Sequence, residues 1–409
     1  MNEKTLKNYA ELIVRSGGNV QKGQLVMISC SVDDAYFGRM VRDAAYDAGA
    51  SEVAIDWLDD STARERYLRG ADEIFDEYPQ WRVVKFKEQD NRGAVYLHII
   101  SSDPDYLAGV DPNRLMRFSK VASAATKPHS ALTMSSTLRW SIAAIPSPAW
   151  AKKVFPDLSE QDAIAKLWQY ILKCSRADGE NPIDAWEKHN ASFVNRVKYL
   201  NEQQFKALHI TTGLGTDLTL GMVDNHVWEG GSDSDKQGNQ FFPNIPTEEI
   251  FSMPHKDKTE GRVVASMPLA HQGSLIDGFE LTFEKGKVVS FKAEKNEEVL
   301  KNMLAMDEGA SRLGEIAIVA NSSPIGQLGT LFYNTLFDEN ASAHLALGRA
   351  YPKNIKGGDD LSQEELLARG SNDSLIHVDF MFGTPDMRIA GIKEDGTEVV
   401  FFDKGEYLI

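Results

Sequence analysis

Apolar positions along the first half of the chain switch between two periods. Residues 5–16 carry apolar groups at helical spacing, and Gly17-Gly18 close that run. GQLVMISCS (23–31) is a continuous apolar stretch of the kind found in strands buried on both faces. Asp33-Asp34 is expected to cap a helix that runs to about Ala48 and stops at Gly49. SEVAIDWL (51–58) reads as a second strand, a charged helix follows over 60–78, AVYLHIISS (94–102) reads as a third strand, and a helix begins near Pro112. Strands alternating with helices in this way predict an α/β unit built on a parallel, doubly wound sheet. The proline-rich segment 142–158 reads as an ordered connection, with helices from about 160 to 205 beyond it.

After Leu208 the pattern becomes strand-like. HITTGLGTDLTLGM, GRVVASMPL, FELTFEKGKVVSFKAE and EIAIVA alternate in β fashion, and Glu284-Lys285-Gly286-Lys287 is a hairpin signal. The expected architecture is α/β: an N-terminal α/β domain over 1–195, then a strand-rich α+β domain over 196–409. A length of 409 residues fits two domains at roughly 100–200 residues each.

Composition narrows the function. Hydrophobic residues at 42% and charged residues at 25% describe a folded chain with a sizeable core. The formal net charge of −16 disfavours nucleic acid and anionic membranes, which are bound through Lys and Arg. It is compatible with steering a cationic substrate or simply with solubility. Cys30 and Cys174 cannot build a disulfide framework and are expected to be buried thiols. MNEKTLKNYAELIV has early acidic residues and no small-residue cleavage site, unlike a secretory signal. No apolar run is long enough to span a membrane, and a cytoplasmic location is expected. A dinucleotide loop is not expected. Lys22-Gly23-Gln24 precedes a strand instead of following one, and Gly213-Leu-Gly215 lacks the third glycine.

Candidate chemistry concentrates in five stretches of the second half. FPNIPTEEIF (242–251) carries Glu248 and Glu249, and LGEIAIV (313–319) carries Glu315. FDENASAHLALGRAYP (337–352) supplies two of the five stretches, with Glu339 and His344 around the expected start of a 339–347 helix, and Tyr351 after Gly348. SLIHVDFMFG (374–383) places His377 and Asp379 at i and i+2 of a strand, hence on one face. A His beside a carboxylate suits a divalent ion such as Zn, Co or Mn. It equally suits a satisfied ion pair on a solvated face. Taken singly, Glu315 reads as a strand-end carboxylate, Glu249 and Glu339 as first-turn helix residues, His344 as a core histidine and Tyr351 as a packed ring. His98, His129, His189, His209, His226, His255 and His271 have no carboxylate partner at useful spacing. HExxH and GxSxG are absent.

Together, NVQKGQLVMI, PSPAWAKKVFP, NIPTEEIF, LGEIAIV, DENASAHLALG and HVDFM resemble, in order and along the whole chain, the M29 family of metallopeptidases, the aminopeptidase T, aminopeptidase S and PepS type. The resemblance implies a homodimeric aminopeptidase that acts on peptides with a free N-terminus and uses two divalent ions per chain. It implies metal ligation by Glu249, Glu315, Glu339, His344, His377 and Asp379. Tyr351 matches the family's active-site tyrosine, and Glu315 is the candidate bridging carboxylate, with Glu315 or Glu248 shuttling the proton. The choice of Glu249 over Glu248 rests on that resemblance. SMPHKDKTEG departs from the family's usual TAP-D pattern. A phosphoesterase with two metals and a non-catalytic small-ligand module remain as alternatives. The first calls for basic residues, of which Arg349 lies inside the five stretches and Arg312 and Arg388 just outside.

Overall fold

The structure, a computed structural model, describes residues 2–271 and 274–409. It is a mixed α/β fold with one parallel sheet and several antiparallel ones. Contacts divide it into two compact units. One comprises the chain up to Lys188 with Ser232–Pro246, and the other comprises His189–Gly231 with Thr247–Ile409.

The first unit is built on the parallel sheet. Its strands lie in the order Asn244–Ile245, Trp140–Ala144, Val95–Ile100, Leu25–Ser31, Glu52–Leu58, all parallel. Leu25–Ile28 and Val95–Leu97 are buried, as interior parallel strands require. Several sequence expectations need correction. Trp140–Ala144 falls at the start of the stretch read as a connection, and Pro148–Val154 within it is helical. The expected 60–78 helix ends at Arg69, and a helix not anticipated spans Gln80–Asn91. The helices expected from about 160 to 205 are present, as Glu160–Cys174 and Pro182–Gln203. Asp34 precedes the Ala35–Asp47 helix but its side chain does not cap it; the carboxylate accepts a 2.6 Å hydrogen bond from the Ser101 hydroxyl instead. Cys30 and Cys174 are free and buried, as expected.

The second unit contains a two-stranded sheet, Leu269–His271 with Ser274–Ile276, and two large antiparallel sheets. The larger has eight strands, among them Ala207–Thr211, Asp217–Met222, Pro254–Val264 and Arg388–Ile392. Its Glu280–Glu284/Lys287–Lys292 hairpin turns at Lys285 and Gly286, both at positive φ, as the sequence signal predicts. The smaller has five strands in the order His377–Met381, His344–Gly348, Leu313–Ile318, Ile250–Ser252, Glu229–Gly230. One apolar cluster joins the two: Leu208, Ile210, Leu218 and Leu220 of the larger sheet with Ile316, Ile318, Leu345, Leu347 and Phe380 of the smaller. Because side chains alternate across a strand, the residues between those apolar ones all project from the opposite face of the small sheet. That face carries the candidate chemistry.

Candidate metal centre

Strand register sets the site. Glu315 pairs with Ala346 and Ala346 with Asp379, so the two carboxylates project from one row across three strands. His377 lies opposite Gly348, and His344 opposite Ala317. The small residues Ala317, Ala346 and Gly348 share this face with the acids and imidazoles. The expectation of a helix over 339–347 is wrong here. Glu339–Ala341 forms a 3-10 turn and His344–Gly348 is a strand. HLALG is rich in helix-forming Ala and Leu, but its alternation puts Leu345 and Leu347 in the core and His344 and Ala346 on the site face.

A bulge aims Glu315. The register slips between Leu313, which pairs with Leu347, and Glu315, which pairs with Ala346. In a regular strand residues 313 and 315 would face the same way. The extra residue, Gly314, sends Leu313 into the core and Glu315 to the site. Only glycine fits there, since a Cβ would stand 2.3 Å from the Arg349 carbonyl oxygen and 2.4 Å from that of Gly348.

Two triads result, and they share one residue. Donor atoms of Glu249, Glu315 and His344 lie within 4.8 Å of one another, and so do those of Glu315, His377 and Asp379. Among the described residues these are the groups of three or more such side chains with converging donors. Glu315 turns one oxygen to each: Oε1 is 3.8 Å from His344 Nε2, and Oε2 is 3.7 Å from His377 Nε2. His344 Nε2 is 2.9 Å from Glu249 Oε2, and His377 Nε2 is 3.4 Å from Asp379 Oδ1. Both imidazoles are held from behind. His344 Nδ1 faces the Ser342 carbonyl at 3.2 Å and His377 Nδ1 the Arg349 carbonyl at 2.6 Å, so each Nδ1 carries a proton and each Nε2 points into the cluster. Asp379 Oδ1 is buried and takes no hydrogen bond. Such an orphaned acceptor, in a set of mixed carboxylate and imidazole donors, fits a divalent cation.

The electrostatics show how confined these groups are. Burial pushes the Glu315 carboxyl up to about 8. Burial alone would lower the His344 imidazole, but its bond to Glu249 and the surrounding carboxylates prevail and lift it to about 10. His377 is likewise raised to about 10, with Asp379 and Glu315 overcoming desolvation. Asp379 is held below the usual range because the His377 cation outweighs its burial. Glu339 stands outside both triads, yet burial and the Asp379 and Glu249 carboxylates raise it well above the ordinary value. Burial first, and then the same carboxylates, raise the Tyr351 phenol strongly; its ring lies 4.9 Å from that of His377.

Glu248 turns elsewhere. Its Oε1 is 3.9 Å from His189 Nε2, and its N–H donates to Asn340 Oδ1 at 2.7 Å. His129 and His209 do have carboxylate partners, Asp90 and Asp217, each at 2.9 Å, contrary to the expectation from spacing; folding joins them, and neither belongs to a triad. Sequence reasoning also missed the fully buried Asn340 and the carbonyls of Ser342 and Arg349. Gly314 inside an apolar strand was the one available sign of a bulge. Two of the basic residues that a phosphoester site would use, Arg349 and Arg312, are engaged away from the triads. Arg349 Nε donates to the Ser374 carbonyl at 3.1 Å, and Arg312 bonds the Lys256 carbonyl and Asp257.

Fold and site together define a protein built to hold divalent metal, and comparison with known proteins specifies its class. The family described as thermophilic metalloprotease (M29) matches over residues 2–407. Aminopeptidase 2 of Geobacillus stearothermophilus is 44% identical, covering 99% of this chain and 98% of its own. Aminopeptidase AmpS of Bacillus subtilis (strain 168) is 43% identical, covering 98% of each. The structure of wild-type AmpT from Thermus thermophilus superposes with a TM-score of 0.93 at 39% identity, covering the whole of both chains. The chain belongs to the M29 family of metallopeptidases. It is an enzyme of that family, a hydrolase of peptide bonds that uses divalent metal.

Proposed function

We propose that this enzyme is an aminopeptidase that holds two divalent ions in the paired triads and releases the N-terminal residue of peptides. The observation that carries the reading is Glu315, whose two oxygens face two separate His-carboxylate groups. The proposed ligands are Glu249, Glu315, Glu339, His344, His377 and Asp379. Glu339 is included because a cation would relieve the burial that now disfavours its charge. Carboxylate oxygens and imidazole nitrogens suit Zn, Co or Mn. Two such ions would polarise the scissile carbonyl and bring the pKa of the attacking water towards about 7.

The chain's own residues do the rest. His344 and His377, fixed through Nδ1, keep Nε2 aimed inward. Glu315 is the proposed carrier of the water proton to the leaving amine. Tyr351 Oη donates to the oxyanion that develops on the substrate carbonyl. Arrangement as a homodimer is part of the proposal, carried by the family resemblance and tested by light scattering. A cytoplasmic location is supported by the two free, buried thiols. Among the described residues no helix is long and apolar enough to cross a membrane.

End specificity tests the reading. A free α-ammonium makes charge-assisted hydrogen bonds to carboxylate, and an acidic group outside the proposed ligand set, such as Glu248, would accept them. Acetylating the N-terminus removes the charge, and bonds of that kind are worth about 1.5–3 kcal/mol, or about 10–150-fold in kcat/KM. Free-amine peptides are expected to be cleaved from the end, while their acetylated counterparts lag by that factor. Equal turnover of the two would make this an endopeptidase.

The raised pKa values give a second test, on metal-free protein. Glu315 shifts from an ordinary 4.5 to about 8, and His344 and His377 from 6.5 to about 10. Each binds its proton more tightly when folded, so each stabilises fully below its unfolded value and loses that contribution as pH rises through the folded one. Asp379 has the opposite sign, with a contribution present above 3.8 and lost in acid. The metal-free protein is therefore expected to melt several degrees lower at pH 10 than at pH 6. Loading metal replaces those protons, should flatten the dependence and should release protons at pH 7. Calorimetry in buffers of different ionisation enthalpy measures the release, and a metal-free melting temperature that stays level from pH 6 to 10 contradicts the proposal.

A further inference from the structure

Behind His377 lies a short piece of backbone whose orientation is fixed atom by atom. Gly348 ends the His344 strand, and Arg349 and Ala350 join it to Tyr351. The peptide joining Gly348 to Arg349 is held at both ends. Its carbonyl accepts from Asn372 Nδ2 at 2.6 Å, and its N–H donates to the Ile376 carbonyl at 2.7 Å. The peptide joining Arg349 to Ala350 is also held at both ends. Its N–H donates to the Asn372 carbonyl at 3.0 Å, and its carbonyl accepts the 2.6 Å bond from His377 Nδ1.

Asn372 thus grips two consecutive peptide planes, one by side chain and one by backbone. Its second amide hydrogen goes to the Gly309 carbonyl at 2.9 Å, and its side chain is enclosed, with the residue 4% exposed. Gly348 has φ +107, and a Cβ there would stand 2.1 Å from the Ile376 carbonyl oxygen, so this close approach of the two backbones requires glycine. An imidazole that coordinates through Nε2 depends on the acceptor behind Nδ1 for its tautomer and ring angle.

We infer that Asn372 is a positioning residue for the His377 half of the centre: it sets the Arg349 carbonyl that orients His377, and it leaves the His344 half untouched. The inference rests on the two-ion reading above. His344 takes its own orientation from the Ser342 carbonyl, which Asn372 does not contact.

The asymmetry makes the test. Asn372→Ala removes both amide hydrogens and keeps the backbone carbonyl. Cobalt titration of wild type and variant, followed by calorimetry and by visible absorption of the bound ion, reads the two binding events separately. In the variant one of the two ions should bind about tenfold or more weakly, the low end of what orienting partners are worth, while the other stays within threefold. The cobalt spectrum of the weakened ion should change shape, and kcat should fall more than KM rises. Leu220→Ala, a core truncation in the other sheet, controls for lost stability. Asn372→Ser serves in the same titration if the alanine variant does not fold. Both ions weakened in parallel, as in the Leu220→Ala control, or neither weakened, overturns the inference. Wild-type protein that saturates below two ions sinks the two-ion reading itself and this inference with it.

Discussion

Glu315→Gln is expected to lower kcat/KM by about 10²–10⁴, the range that a positioned acid–base group supplies, and to take bound metal from the proposed two ions per chain to one or none. The side chain keeps its length and one acceptor oxygen. It loses the second oxygen and presents an NH₂ group to one of the two triads it now joins. A cation on that side would face donors instead of a carboxylate. The fold should not suffer with the activity. Burial already disfavours the charged form of Glu315, which is why its pKa stands at about 8. A neutral amide escapes that penalty, so above pH 8 the metal-free variant should melt at or above the temperature of metal-free wild type. Glu248→Gln, beside His189 and outside both triads, should keep both ions. Elemental analysis, steady-state kinetics and melting curves on the two variants give the comparison. A Glu315→Gln enzyme that retains two ions and near-normal turnover would refute the shared-carboxylate reading.

What the sequence made legible was the local part of this site. His377 and Asp379 are two residues apart in a strand, and their common face follows from the period alone. The long parallel strands Leu25–Ser31 and Val95–Ile100 were legible for the same reason, since burial on both faces leaves unbroken apolar runs. Trp140–Ala144 was not: it is five residues long, carries three small side chains and runs straight into a proline segment. The partnership of Glu249 with His344 spans ninety-five positions of chain, and no spacing rule reaches that far. The aim of Glu315 depends on a register slip at Gly314, which exists only once Leu313–Ile318 and His344–Gly348 have paired. In His344–Gly348, local helix propensity and strand alternation disagreed. Tertiary pairing settled the conflict in favour of the strand, because only then do Leu345 and Leu347 reach the core while His344 reaches Glu249.

Tyr351→Phe should separate transition-state stabilisation from metal binding. The ring packs 4.9 Å from His377 and 6.1 Å from Phe251, and phenylalanine preserves both contacts. Only the hydroxyl is lost. In the metal-free protein, burial and four neighbouring carboxylates hold that hydroxyl protonated well beyond the ordinary tyrosine range. A donor that serves charge developing on the substrate oxygen contributes little before that charge exists. Its loss should lower kcat and kcat/KM by the same factor, about 10²–10³ for one oxyanion donor. Metal content and melting temperature should match wild type. His377→Ala makes the contrast, since a ligand is needed in every state of the cycle and its removal should lower occupancy and activity together. Near-normal kcat in Tyr351→Phe would reduce the residue to a packed ring beside His377 and leave the paired triads as the whole of the catalytic centre.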